Sequence, residues 1–180
     1  MQGLFEIERH SIQHKARSNL VLRNPTRADG QAINELVERC PPLDENSAYC
    51  NFLQSTHFQS TSVIAEKHGE VVGFITGYRK PTHTTHLFIW QVAVAPEARG
   101  QGLAMTMLNT LLSRDELSDI DAIETTITKD NQGSWGLFKR FDKYHGSQGE
   151  VTVFLDKQQH FDGEHDTEYL FHIPLKKEDK

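Results

Sequence analysis

The sequence has little of what a secreted, membrane-embedded or nucleic-acid-binding protein needs. Two cysteines among 180 residues, Cys40 and Cys50, cannot build a disulfide framework and suit a reducing cytosol. No apolar run approaches the roughly 20 residues of a membrane span. Met1–Asn19 is polar, mixed in charge and without the apolar centre of a secretory signal, so it is expected to be a mobile tail. Basic residues are in deficit. Nineteen Lys and Arg against 25 Asp and Glu leave a formal charge of −6, which argues against a nucleic-acid partner and suits a small cationic one. Internal repeats, low-complexity tracts and linkers are also missing. One domain is therefore expected, over residues 20–175, followed by a charged tail at 176–180.

What is present centres on Leu87–Leu112, LFIWQVAVAPEARGQGLAMTMLNTLL. A β-branched and apolar strand runs through Val92-Ala93-Val94 and passes Pro96. It reaches Arg99-Gly100-Gln101-Gly102-Leu103-Ala104, and then Ala104, Met107, Leu108 and Leu111 recur at helical spacing. A strand feeding a glycine turn and a helix start is a recurrent phosphate holder. Glycines let the backbone come close, and the free N–H groups of the first helical turn point at the anion with the helix dipole behind them. The three glycines of a dinucleotide fingerprint and the Lys-Ser/Thr of a P-loop are both missing. Arg-x-x-Gly-x-Ala after Val-Ala-Val resembles instead the pyrophosphate cradle of the GCN5-related N-acetyltransferases (GNATs), where acetyl-CoA sits.

The flanking chain reads as alternating strands and helices. Leu20–Arg23 is a short strand, and Thr26 with Asp29 forms a capping-box pattern. Ile33, Leu36, Val37 and Cys40 mark a helix stopped by Pro41-Pro42. A second helix is expected after Asn46, with Tyr49, Phe52 and Leu53 as its apolar face; Asp44 and Asn46 precede it and can cap it or face a ligand. Residues 62–67 and 71–78 form a hairpin through His68-Gly69-Glu70, and residues 84–94 a further strand. Ala122–Ile127 is expected as a buried strand of parallel type. Asn131 precedes a last helix bearing Trp135, Leu137, Phe138, Phe141 and Tyr144. Residues 150–155 and 168–174 are closing strands, with 156–167 an acidic, histidine-bearing loop. The fold class is α/β, a mixed central sheet flanked by helices, and its element order matches the GNAT fold.

That resemblance implies a chemistry. Acetyl-CoA would be the co-substrate, held by Arg99–Ala104, by the backbone of Val92, Ala93 and Val94, and by Asn131. A backbone N–H at the strand end would polarise the thioester oxygen. The acceptor amine needs help: with a pKa of about 10.4 it is free base only about one part in a thousand near neutral pH, a deficit of roughly 4 kcal/mol. A carboxylate or histidine at the acceptor side is expected to supply it. The tyrosine that the family often carries on the last helix is replaced here by Phe138, so no hydroxyl there can reprotonate the leaving thiolate.

Further blocks resemble one GNAT subfamily, which acetylates L-2,4-diaminobutyrate at its 4-amino group on the route to ectoine. They are Pro41-Pro42-Leu43-Asp44 with Asn46 and Tyr49, Thr56-His57-Phe58, Trp90-Gln91-Val92-Ala93-Val94, Glu124–Thr128 with Asn131, and His165-x-x-Glu168. The resemblance implies an acceptor pocket of Asp44, Tyr49, Trp90, His165 and Glu168, with Glu168 the first choice of base, and a homodimer. The alternatives are that Trp90 is core and that Asp44 and Glu168 are surface carboxylates. His160, His165, Glu168 and His172 follow no zinc-ligand spacing, and the chemistry requires no metal.

Overall fold

The structure, a computed structural model, describes residues 20–176. The expected tails, residues 1–19 and all of 176–180 but Lys176, lie outside the described residues. Seven strands form one sheet in the order β1-β2-β3-β4-β5-β7-β6. They are β1 (Leu20–Arg23), β2 (Val63–Lys67), β3 (Glu70–Lys80), β4 (His83–Val94), β5 (Ala122–Thr128), β6 (Glu150–Leu155) and β7 (Glu168–Pro174). The helices are α1 (Gly30–Glu38), α2 (Ala48–Thr56), α3 (Leu103–Leu112), α4 (Gln132–His145) and α5 (Lys157–Phe161). Every neighbouring strand pair is antiparallel except β4–β5.

The apolar spacings decide which faces are covered. Ile33, Leu36 and Val37 of α1 and Met107, Leu108 and Leu111 of α3 are buried against Ile64, Phe74, Ile75, Leu87 and Ile89 of the sheet. Phe138 and Phe141 of α4 join the same core with Ile123, Ile127 and Phe171. At the entry to α1, the Thr26 N–H donates to Asp29 Oδ2 at 2.6 Å, and Arg23 grips the same carboxylate at 2.7 Å. That bidentate partner holds the Asp29 carboxyl down at about 2.

Three sequence expectations need correction. α2 buries Asn51, Gln54 and Ser55, while Tyr49 is 72% exposed and Phe52 and Leu53 are only half-buried. The helix docks on α1 by a polar contact, the Asn51 amide donating to Asn34 Oδ1 at 2.8 Å. Gly30 is what admits the Phe52 ring, because a Cβ there would collide with it. Second, the 156–167 segment is not all loop: α5 forms because Asp156 Oδ1 accepts the N–H groups of Gln158 and Gln159 at 2.9 and 3.0 Å. Third, β5 is parallel to β4 on one side and antiparallel to β7 on the other, so it joins the two halves of the sheet.

Candidate active site

The parallel pairing that joins those halves is short. Only His86, Leu87 and Phe88 pair with Ala122, Ile123 and Glu124. Beyond them β4 continues to Val94 and β5 to Thr128 without each other, and the sheet opens as a wedge. A bulge on the far side of β4 accompanies the divergence. Thr76 pairs with Gln91 and Gly77 with Ile89, so Trp90 is the extra residue, and bulges bend and twist a strand. Gly77 permits this, since a Cβ there would lie 2.5 Å from the Phe88 carbonyl oxygen.

Two adjoining cavities fill the wedge and its mouth, of about 540 and 180 Å³. The larger runs between the start of α3 and the first two turns of α4. Arg99, Gly100, Gly102, Leu103 and Ala104 line it with Val92, Val94 and Asn131. Gly100 and Gly102 have φ of +72° and +77°, a region that disfavours side chains, and a Cβ on either would project into open space. No side chain caps α3, and its first backbone bond runs from Thr106 N–H to Gly102 O at 3.0 Å. The N–H groups of the preceding turn are therefore available to an anion. Arg99 is folded back, its Nε donating to Val94 O at 3.0 Å. Two expected cofactor contacts fall outside the groove lining. Ala93 is fully buried in the core, and the Gln101 amide bonds back to Glu97 O at 3.1 Å.

The smaller cavity is the polar one. Asp44, Trp90, His165 and Glu168 all line it, although they come from a loop, β4, the segment after α5 and β7. His165 Nε2 lies 3.8 Å from Asp44 Oδ2, with Asp44 on the exposed rim. The His165 Nδ1–H donates to the Asp166 carbonyl at 2.8 Å, which raises its pKa, and the Asp44 and Glu168 charges add to the rise. Burial pushes Glu168 above the usual carboxylate range, against a hydrogen bond from Thr126 and the charge of His165. A carboxylate so raised is a better proton acceptor than a surface one. Tyr49 stands apart on α2 and lines neither cavity. Asn131 lines both cavities and also caps α4, its Oδ1 accepting the Ser134 N–H at 3.1 Å.

The family model described as Acetyltransferase (GNAT) family matches residues 30–142. The chain is 57% identical over 164 residues to the L-2,4-diaminobutyric acid acetyltransferase of Vibrio cholerae, covering 91% of this chain and 95% of that protein. It is 43% identical to the same-named protein of Halomonas elongata, covering 90% and 84%. The diaminobutyrate acetyltransferase EctA from Paenibacillus lautus, solved with its substrate L-2,4-diaminobutyric acid and coenzyme A, has a TM-score of 0.84 to this chain. Its identity is 36%, over 91% of this chain and 99% of that one. The chain belongs to the GNAT acetyltransferases.

As a GNAT enzyme it uses acetyl-CoA as co-substrate, and the larger groove fits that role in its glycines and in its bare helix start. The sequence reading missed several groove residues. Gly133, Gly136 and Arg140 line the groove from one side of α4. Their spacing of three and then four residues was the available signal, two missing side chains making room below one cation. It also missed Gln91. This residue is 7% exposed; its Nε2 donates to Asp44 O at 3.0 Å and its Oε1 accepts from the Asn46 amide at 3.1 Å. Gln91 thus pins the Asp44 loop to the strand that carries Trp90. Phe138, as its sequence position implied, brings a ring and no hydroxyl to the cavity wall.

Proposed function

We propose that this enzyme transfers the acetyl group of acetyl-CoA to the 4-amino group of L-2,4-diaminobutyrate, the acetylation step of ectoine biosynthesis. The observation that carries the reading is the smaller cavity. It sets two carboxylates and a histidine around an opening continuous with the CoA groove, in a chain 57% identical to a diaminobutyric acid acetyltransferase. A short acceptor with two ammonium groups and one carboxylate matches that charge pattern.

In this reading Asp44 holds the α-ammonium at the rim, and His165, whose protonated form its neighbours favour, faces the carboxylate. Trp90 offers a ring face to the chain between them. Glu168 takes a proton from the 4-ammonium, and the free amine attacks the thioester carbonyl. Arg99–Ala104, Asn131 and the Val92–Val94 backbone hold the CoA. The β4 edge that β5 leaves unpaired supplies the N–H for the tetrahedral oxyanion. Collapse expels the CoA thiolate. Of the two protons the ammonium loses, one ends on the thiol and one in solvent; with Phe138 in place of a hydroxyl, water carries the proton to sulfur.

Residues 20–175 act in this proposal as one acetyltransferase unit, working as a homodimer in the cytoplasm. Free Cys40 and Cys50 accord with a reducing compartment, and no helix among the described residues is long and apolar enough to cross a membrane. A subunit contact is suggested by edge strand β6, where Val151, Val153 and Phe154 are 47%, 58% and 50% exposed. The deciding experiment is CoA release over a panel of small diamines and N-terminal peptides, with NMR of the product. Preference for a peptide, or acetylation at the 2-amino group, would overturn the assignment.

A further inference from the structure

The closed end of the wedge holds a second cluster of functional groups that acetyl transfer does not use. Glu124 ends the β4–β5 pairing and is only 4% exposed. Its Oε2 takes the Lys80 ammonium at 2.5 Å. Its Oε1 faces two imidazoles, His86 Nδ1 at 2.9 Å and His172 Nδ1 at 3.2 Å. The three residues come from β4, β5 and β7, and one nitrogen or oxygen of each lies within 4.8 Å of the other two. His83 stacks on His86 with ring centroids 5.2 Å apart, and Asp121 Oδ1 lies 3.6 Å from His86 Nε2. Spacing in the sequence could not reveal this group, because strand register assembles it: Glu124 stands opposite His172 in the β5–β7 ladder.

We infer that His86, Glu124 and His172 form a binding site for a divalent transition metal, with Zn²⁺ the best match. Two imidazoles and one carboxylate are a borderline donor set that prefers Zn²⁺, Co²⁺, Ni²⁺ or Cu²⁺ to Mg²⁺ or Ca²⁺. Bonds of about 2.0–2.1 Å in a tetrahedral site put the ligand atoms about 3.3–3.4 Å apart. The two nitrogen–oxygen separations, 2.9 and 3.2 Å, are already close to that, and all three ligand atoms lie within 4.8 Å of one another, so closing the two imidazoles onto the carboxylate would admit the ion. Lys80 does not block it, because it occupies the other carboxylate oxygen.

Asp121 stands where it can serve the site, 3.6 Å from His86 Nε2. A metal on Nδ1 moves the ring proton to Nε2, where Asp121 accepts it, the usual outer partner of a metal-bound imidazole. Water completes the coordination, since His86 and His172 keep side-chain exposures of 21% and 32%. The ion would tie β4, β5 and β7 together at the point where the wedge begins, four residues along β7 from Glu168.

The test uses the full chain without a histidine tag, after chelator treatment, with Zn²⁺ and Co²⁺ as probes. One Zn²⁺ per chain is expected by calorimetry, with a rise of several degrees in Tm. Co²⁺ should give the intense visible bands of a four-coordinate site. His172→Gln and His86→Asn, each with a Tm near wild type in chelator, should weaken Zn²⁺ binding at least tenfold and abolish the Co²⁺ bands. His83→Ala should do neither. Absence of stoichiometric binding, a Co²⁺ spectrum like that of the aqueous ion, or variants that bind as well as wild type would each overturn the site. If both variants lose their fold, the wild-type Co²⁺ spectrum and Zn²⁺ stoichiometry still decide it.

Discussion

At the residue scale, Glu168, Asp44 and Gln91 are given different tasks, and kinetics can tell them apart. Glu168 as base predicts that Glu168→Gln lowers kcat about 10²–10⁴-fold, with the product still acetylated at the 4-amino group. Burial raises its carboxyl, and the ionised form is the base. The acid limb of the wild-type rate should therefore lie above the ordinary carboxylate range, with activity falling as pH drops through it. Glu168→Gln should lose that limb. Asp44→Asn should instead erode regioselectivity, read by NMR as a mixture of 2- and 4-acetyl products. Full activity and a single product in both variants would remove both assignments. Gln91 touches no reacting atom and acts by positioning the Asp44 loop. Losing two hydrogen bonds of about 1 kcal/mol each, partly replaced by water, predicts that Gln91→Leu raises KM for diaminobutyrate about tenfold. KM for acetyl-CoA should stay within about twofold, a split that a general loss of fold would not give.

At the scale of elements, the start of α3 has no partner of its own and the larger groove lies against it. Gly102 is doubly constrained: its φ of +77° disfavours any side chain, and the space a Cβ would enter belongs to the groove. Gly102→Val is predicted to weaken acetyl-CoA binding at least about tenfold by calorimetry, from backbone strain of about 1–3 kcal/mol together with occupied space. Gly69→Val is the matching control, because Gly69 has φ of +84° and equally open surroundings in the β2–β3 turn, away from both cavities. Equal acetyl-CoA affinity in the two variants would mean that the cradle is not where CoA binds.

At the scale of the whole molecule, edge strand β6 exposes three large apolar side chains, Val151, Val153 and Phe154, against two, Leu20 and Val21, on the opposite edge strand β1. Phe154 is an extra residue between the Val153–Tyr169 and Leu155–Glu168 pairs, which turns its ring outward at the sheet edge. An apolar stretch on a sheet edge invites pairing with another chain. If the proposed homodimer pairs through β6, Val153→Lys is predicted to shift it to monomer in light scattering, with little change in thermal stability of the monomer fold. A dimer unchanged by this substitution would place the subunit contact elsewhere.

The sequence alone determined nearly all the elements and the glycine turn that opens α3, because both follow from short-range rules. Period-two and helical spacings marked all seven strands to within two residues and four of the five helices. Arg99–Ala104 carries its own backbone requirement in Gly100 and Gly102. Local order also shows in Asn131, which caps α4 as its position implied. Tertiary structure decided the rest. Tyr49 fits the apolar spacing of α2 but faces solvent, since the docking surface offered by α1 is polar at Asn34. Gln91 could not be read as a positioning residue until the loop at Asp44 folded over β4. The pairing of Asp44 with His165, and of His86 and His172 with Glu124, joins residues far apart in the chain. Periodicity reports which face of an element is apolar; only strand register and the splay of β4 from β5 bring polar groups from different elements to one point.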